Sequence, residues 1–275
     1  MLQKYIYSIF LMSFLILLPA CSSKKDRLIK QNKTITLERL YQEAYRNFQN
    51  NDYQNAVELF EQVEKDYSYT EWASKALLMR AFIYYDTSDY IQSLENLKKF
   101  KTRYSGNKNI PYADYLIGLC LYEQINFISM SQENTQLAKR QFTKIISNYP
   151  SSSYASDSKF KLDLIEDQLA GKEMYIAKYY LEREKWTAAL IRLNNIFNNY
   201  ETTVYIEEAL HRLVEINYKI GNIPAAKKYA AILGYNYNDS DWYRKSFNIV
   251  EKKNIISENT KDKKTLKERL KNLIQ

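Results

Sequence analysis

The sequence predicts an all-α chain of repeated helix hairpins, and three observations carry the prediction. Five times a small residue on one segment is followed in register by Ala or Ser on the next: Ala44 with Ala56, Ala81 with Ser93, Gly118 with Ala138, Ala177 with Ala189, and Val214 with Ala226. The two members stand at i and i+12 in four of the five pairs, and where neighbouring units join without insertion the period is 37. Only 5 Gly and 4 Pro occur in 275 residues, which favours long helices and tight turns, and no alternating run of branched residues suggests a strand.

The register has a packing cause. Two antiparallel helices joined by a short turn approach closely only where both side chains are small. A large aromatic follows three of the turns (Tyr53, Tyr90, Trp186), and a second closes those hairpins at a constant interval after it (Tyr67, Tyr104, Tyr200), with Tyr149 in the corresponding place of the third unit. Such alternation of small and large positions at a period of about 34 residues is the signature of tetratricopeptide repeats. One hairpin cannot bury its own apolar face, so about five are expected to stack into an α-solenoid with one continuous core.

The first hairpin is expected from about Leu37 to Tyr67 with its turn at Asn50-Asn51-Asp52, and the second from about Trp72 to Tyr104 with its turn at Thr87-Ser88-Asp89. Asn and Asp suit these turns because their side chains bond nearby backbone amides. The third begins at Ile110-Pro111, a helix-start signal. Its small pair stands at i and i+20 where the others use i and i+12, which places an extra loop near Phe127 to Gln132. A second insertion lies between the third and fourth units: Ala138 and Ala177 stand at i and i+39, where Ala56 with Ala81 and Ser93 with Gly118 stand at i and i+25. Ser152 to Arg183 contains no Pro and one Gly, Gly171. With Phe160, Leu164, Ile165, Leu169, Ile176 and Tyr180 at helical spacing, the insertion reads as about 21 Å of added helix. A long helix is therefore expected between repeats three and four.

Both ends differ from the repeats. Met1 to Ala20 has a basic start at Lys4 and an apolar stretch from Tyr5 to Leu18, too short for the roughly 20 residues of a membrane-spanning helix. It reads as an export signal, residues 1–20. Leu18-Pro19-Ala20-Cys21 resembles a bacterial lipobox, so Cys21 is the expected lipidation site and the mature N-terminus; several acyl chains anchor stably where one does not. Ser22 follows where enteric-type systems use Asp for inner-membrane retention, which favours the periplasmic face of the outer membrane. Residues 21–36 are read as a polar, flexible tether. At the other end, residues 251–275 form a basic tail: eight Lys or Arg against three acidic residues from Lys252 onward supply much of the net charge of +8. Such a tail suits anionic headgroups, or it is a solvated, disordered end; export argues against nucleic acid.

Repeat-array grooves are lined by recurring first-helix positions. In the first three units these are Glu38, Tyr41, Tyr45 and Phe48, then Lys75, Leu78, Phe82 and Tyr85, then Tyr112, Tyr115, Leu119 and Tyr122, of which eight in twelve are aromatic. The last two units carry Lys172, Met174, Lys178 and Leu181, then Glu208, His211, Glu215 and Tyr218, and the lining turns charged. An aromatic surface with a Lys near its edge suits an extended peptide with aromatic side chains, with or without a terminal carboxylate. The alternative is that these aromatics are interhelix core; their concentration in the first three repeats favours binding, since a purely structural demand should recur in all five.

The lipobox, the repeats and the inserted long helix together resemble the BamD family, the tetratricopeptide lipoproteins of the outer-membrane β-barrel assembly machinery. Asn51-Asp-Tyr-Gln-Asn-Ala-Val-Glu-Leu-Phe60 is similar to the family's first hairpin. The more specific stretch is Tyr154-Ala155, Gln168-Leu169-Ala170, Glu173, Ala177-Lys-Tyr-Tyr180, Trp186, Ala188-Ala189 and Arg192, and the likeness covers roughly Leu37 to Tyr235. Glu184-Lys185 departs from it, standing where a Gly is usual. The resemblance implies that residues 151–250 meet the periplasmic domains of the barrel-forming subunit BamA, with Arg192, Tyr180 and Arg183 as contact residues. It also implies that residues 37–150 meet unfolded barrel proteins, and that other lipoproteins of the machinery are partners.

Catalysis is not expected. The chain has one His, His211, one Cys besides Cys21, no Gly-rich phosphate loop and no clustered metal ligands, so neither a metal nor a cofactor is called for. Glu58, Glu61 and Glu64 are read as a solvated face and Cys120 as buried packing. The rival reading is another exported tetratricopeptide lipoprotein, such as a secretin pilotin or a TolA-linked envelope coordinator; the first lacks the long insertion and the second needs heptads that residues 22 to 36 do not have.

Overall fold

Helix α1 covers Ser22–Gln49, α2 Tyr53–Asp66, α3 Glu71–Asp86 and α4 Tyr90–Arg103. They are followed by α5 Ile110–Glu123, α6 Glu133–Asn148, α7 Ser153–Glu182, α8 Trp186–Asn199, α9 Ile206–Lys219 and α10 Ile223–Asn236. A further helix, α11, covers 241–251. The computed structural model describes residues 22–251, with side chains from Thr36 onward. The signal segment 1–20, Cys21 and the tail from Lys252 lie outside the described residues. All regular structure among the described residues is helical, and no helix there is long and apolar enough to cross a membrane.

The hairpins form where the small pairs predict. Ala44, Ala56, Ala81, Ala138, Ala177, Ala189, Val214 and Ala226 are fully buried. Ser93, also fully buried, donates its hydroxyl 2.8 Å to the Ala81 carbonyl across the notch, so one polar side chain bonds the neighbouring helix at the point of closest approach. Gly118 admits Phe142: a Cβ there would stand 2.7 Å from the ring.

Three of the five turns repeat the same chemistry. Asp52, Asp89 and Asn222 cap the second helices by accepting from the backbone N–H three residues on. Asn51, Ser88, Glu184 and Gly221 all take the left-handed conformation at φ 61, 62, 55 and 86°, so the 37-residue spacing recurs within each pair as a backbone feature. Tyr67, Tyr104, Tyr149, Tyr200 and Tyr237 each follow the last residue of a second helix and donate the backbone N–H to the carbonyl four residues back.

Packing divides the chain into two compact units, one up to Asn107 and one from Lys108, and not at 150/151. In the first unit the core under α1, α2 and α3 holds Leu37, Ala44, Phe60, Val63, Ala76 and Ile83. In the second, α7 is shared. Its first half closes a core with α6 through Phe142, Ile145, Ile165 and Leu169, and its second half closes another with α8 and α9 through Met174, Leu193, Ile196 and Leu213. The long helix thus joins the third hairpin to the fourth, because its buried stripe continues through both cores.

Two further expectations are corrected. The segment 22–36, expected as a tether, is drawn into α1, which runs unbroken from Ser22; with no Gly or Pro before Gln49 and many straight-chain residues, nothing in the sequence stops the helix. Glu64, expected on a solvated face, is buried. It shares a stripe with Ala56, Phe60 and Val63 on α2, at helical spacing that points inward. Cys120 is buried, as expected.

Candidate partner-binding surfaces

In the first unit the predicted lining residues form a partly exposed aromatic row. Tyr45 is 42% exposed and leans on Phe48 at 6.1 Å between ring centres; Phe48 in turn meets Phe82 edge-on at 5.9 Å. Tyr85 packs near Tyr90 at 6.1 Å. Tyr41 turns toward the core, edge-on to Phe60 at 5.2 Å and to Trp72 at 4.9 Å, and burial raises its phenol above the ordinary range. Lys75 sits at the edge, paired with Glu71 at 3.0 Å and placed over the Trp72 ring. The row therefore has two halves: Tyr41 and Phe48 support the core, while Tyr45 offers its ring to solvent.

In the second unit Tyr112 and Tyr115 flank Tyr154 of α7 at 5.9 and 5.2 Å. Tyr115 donates its hydroxyl 2.6 Å to Asp157, and Tyr122 packs edge-on against Phe142 with Lys161 over its ring. All three are half-buried. They anchor α7 on α5 and leave ring edges at the surface.

Arg192, Tyr180 and Arg183 share the α7–α8 hairpin but occupy different levels of it. Arg192 lies six residues into α8 and donates Nη1 to Glu173 of α7 at 3.2 Å; its side chain stays 39% exposed. It stands at a groove of about 510 Å³ whose lining includes Asn194, Asn195, Asn198 and Asn199 beside Leu190 and Ile191. Arg183 caps the end of α7, stacks 3.7 Å from the centre of the Tyr179 ring and donates to the Tyr179 carbonyl. Tyr180 is half-buried against the Leu193 core, edge-on to Tyr179.

Sequence reasoning missed three features. The extra loop is docked: Gln168 donates 2.8 Å to the Asn126 carbonyl and Lys172 donates 2.8 Å to that of Ser129, while Gly171 leaves room for Ile128 and Tyr205. Between loop and α7 lies a cavity of about 740 Å³ with Phe127 and Tyr175 exposed at its rim. The lone Gly of the long helix was its signal. In the first unit, Glu64 on α2 binds Arg80 at 3.1 Å, Lys99 at 2.7 Å and Arg103 at 2.5 Å, an ion cluster between residues up to 39 apart. Finally, His211 does not line a groove. It is buried with its Nδ1 2.8 Å from Ser246 of α11, and Glu215, 3.4 Å from Nε2, is held at a pKa of about 2. Burial alone would raise that carboxyl; hydrogen bonds from His211 and Arg212 outweigh it.

Comparisons with known proteins place this architecture. Residues 33–233 match the family model described as outer membrane lipoprotein (YfiO). The chain is 35% identical over 236 residues to the outer membrane protein assembly factor BamD of Rickettsia prowazekii, covering 86% of this chain and 93% of that one. It is 32% identical over 231 residues to the protein of the same name from Caulobacter vibrioides, covering 84% and 75%. Among solved structures it shares 13% identity and a TM-score of 0.43 with the P58(IPK) TPR domain, covering 86% of this chain and 62% of that one.

Proposed function

The chain belongs to the BamD family of outer-membrane protein assembly factors, and from that premise we propose that it is a non-catalytic adaptor. In this reading residues 151–250 hold the periplasmic domains of BamA through Arg192, with Tyr180 and Arg183 beside it, and residues 37–150 hold unfolded barrel proteins through the exposed aromatic edges. Cys21 carries the lipid that keeps the adaptor at the periplasmic face of the outer membrane, where it also meets other lipoproteins of the machinery.

One observation carries the reading: Arg192 is fixed by Glu173 yet remains 39% exposed beside a groove rich in asparagine amides. A guanidinium held in this way presents spare donors to a carboxylate of a partner, and side-chain amides can satisfy the backbone of an incoming segment. Fixing the arginine in advance reduces the entropy lost on binding.

The test exchanges the pair. Glu173→Arg with Arg192→Glu keeps an ion pair within the hairpin while reversing the charge at the groove, so the melting curve should hold and BamA should no longer co-purify. Undiminished co-purification would remove Arg192 from the interface. Tyr45→Ala should weaken binding of aromatic-ended peptides and leave BamA bound; equal effects on both partners would sink the two-surface model. Depletion in cells should lower folded barrel proteins, whereas normal barrels with failed secretin assembly would favour the pilotin reading.

A further inference from the structure

The cavity between the docked loop and α7 is used by neither of the partner surfaces described above. Its volume of about 740 Å³ falls among the roughly 300–1,000 Å³ of small-molecule sites. One face of α7 lines it, from Gln168 through Gly171, Met174 and Tyr175 to Lys178, about 15 Å of helix. Ile125, Phe127 and Ile128 of the loop complete the lining, so the cavity is both long and largely apolar. At Gly171 the wall has no side chain; a Cβ there would stand 2.9 Å from Ile128 and 2.9 Å from the Tyr205 hydroxyl. Phe127 is 80% exposed and Tyr175 54%, which leaves two apolar rings in water at the rim.

We propose that this cavity binds a single-chain anionic lipid, with the alkyl chain laid along α7 and the acid group held by Lys178 beside Lys172. Two observations select that chemistry. The polar ends beside the cavity are already spent: Gln168 donates to the Asn126 carbonyl, and Lys172 to those of Ser129 and Met130. A peptide laid here would bring backbone groups that need partners, as the asparagine amides beside Arg192 could supply, whereas an alkyl chain brings none. The charge at this face is positive. Lys178 pairs with Glu208 at 2.9 Å, but Glu208 is also held by Arg212 at 3.3 Å, so the ammonium can turn to an anion and leave Glu208 paired. The bonds of Lys172 go to neutral carbonyls, which leave its charge available to the same anion. Fatty acids and lysophospholipids share the required chemistry. Neither Arg192 nor the aromatic row takes part, so loss of this site leaves both proposed partner surfaces intact.

The test uses the mature chain with Cys21→Ser, which carries no acyl chain of its own, and palmitate below its micellar concentration. Calorimetry should show one palmitate per chain. Laurate, shorter by four methylenes, should bind at least tenfold more weakly, since each methylene removed from water contributes about a factor of four. Lysophosphatidylglycerol should compete with palmitate, the tighter of the two naming the source, and zwitterionic lysophosphatidylcholine should bind at least fivefold more weakly than either. Lys178→Gln should weaken palmitate at least fivefold and leave the melting curve unchanged, because Arg212 retains Glu208. A stearate with a nitroxide on its chain should broaden the amides of 125–129 and 171–178 and spare those around the exposed Tyr69 and Tyr235. Broadening at Tyr69 and Tyr235 as well would show surface adsorption and overturn the proposal, as would the absence of saturable binding. An aromatic-ended peptide that perturbs the cavity amides where palmitate does not would give the cavity to a protein segment and overturn it too.

Discussion

Gly118→Ala tests whether the small notches are packing devices or merely tolerated gaps. The added Cβ would meet three carbons of the Phe142 ring at 2.7, 3.1 and 3.1 Å, whereas carbon contacts are favourable near 3.5–4.0 Å. The ring must retreat by about 0.8 Å, yet Phe142 is fully buried, with Tyr115 and Tyr122 at 6.4 and 6.3 Å between centres. Overpacking of this kind costs about 1–3 kcal/mol. Replacing a mid-helix Gly by Ala returns about 1 kcal/mol of helix propensity, so a net loss of roughly 1 kcal/mol is expected, or about 2–4 °C in melting temperature. The sharper measurement is a double-mutant cycle. With Phe142→Leu already present the ring is gone, and Gly118→Ala should then stabilise by up to about 1 kcal/mol, a coupling on the order of 2 kcal/mol. Urea unfolding followed by helical circular dichroism on all four proteins gives the cycle. Identical effects of Gly118→Ala in both backgrounds would refute the notch argument.

Three further perturbations follow from the same structure. Glu184→Gly should raise the melting temperature, because an L-residue at φ 55° costs about 1–2 kcal/mol and glycine's added unfolded-state entropy returns only about 0.5–1; an equal gain from Glu184→Ala would count against backbone strain as the cause. Glu64→Ala should destabilise the first unit on the order of 3 kcal/mol, since it leaves Arg80, with a side chain 10% exposed, buried without its carboxylate; a shift under about 1 kcal/mol in urea unfolding would show that Glu61 and solvent suffice. Glu215 has a folded pKa of about 2, below its unfolded value of 4.5, so its contribution is present above pH 5 and is lost as the pH falls toward 2. Glu215→Gln should flatten the stability profile across that window relative to the natural chain, and superimposable slopes would remove Glu215 from the acid response.

The hairpins were legible because their determinants are local. Three of the five turns carry Asp or Asn at a fixed place, four of the five interhelix contacts pair small residues 12 apart, and a tyrosine follows the last residue of each second helix, so Asp52, Ala44 with Ala56, and Tyr67 announce a hairpin without reference to the rest of the chain. The long helix was legible for the same reason: Ser152 to Arg183 holds nothing that ends a helix, and in the structure these two residues are its caps. Surfaces were harder. Tyr41 and Tyr45 occupy equivalent places in the periodic pattern, yet one turns into the Phe60 core and the other into solvent, a difference of one helical turn set by how α1 rotates over α2 and α3.

What the sequence by itself determined is the unit: helix, turn, helix, notch and closing aromatic, together with the two insertions that interrupt them. Only the tertiary structure decided what the insertions do and which charges are buried. Gly171 became the seat of a docked loop, the long helix became a shared wall of two cores, and Glu64 found Arg80, Lys99 and Arg103 across three helices. Such pairings depend on the angle and depth at which helices meet. Those quantities come from the sum of many weak packing contacts and leave no mark at fixed spacing along the chain.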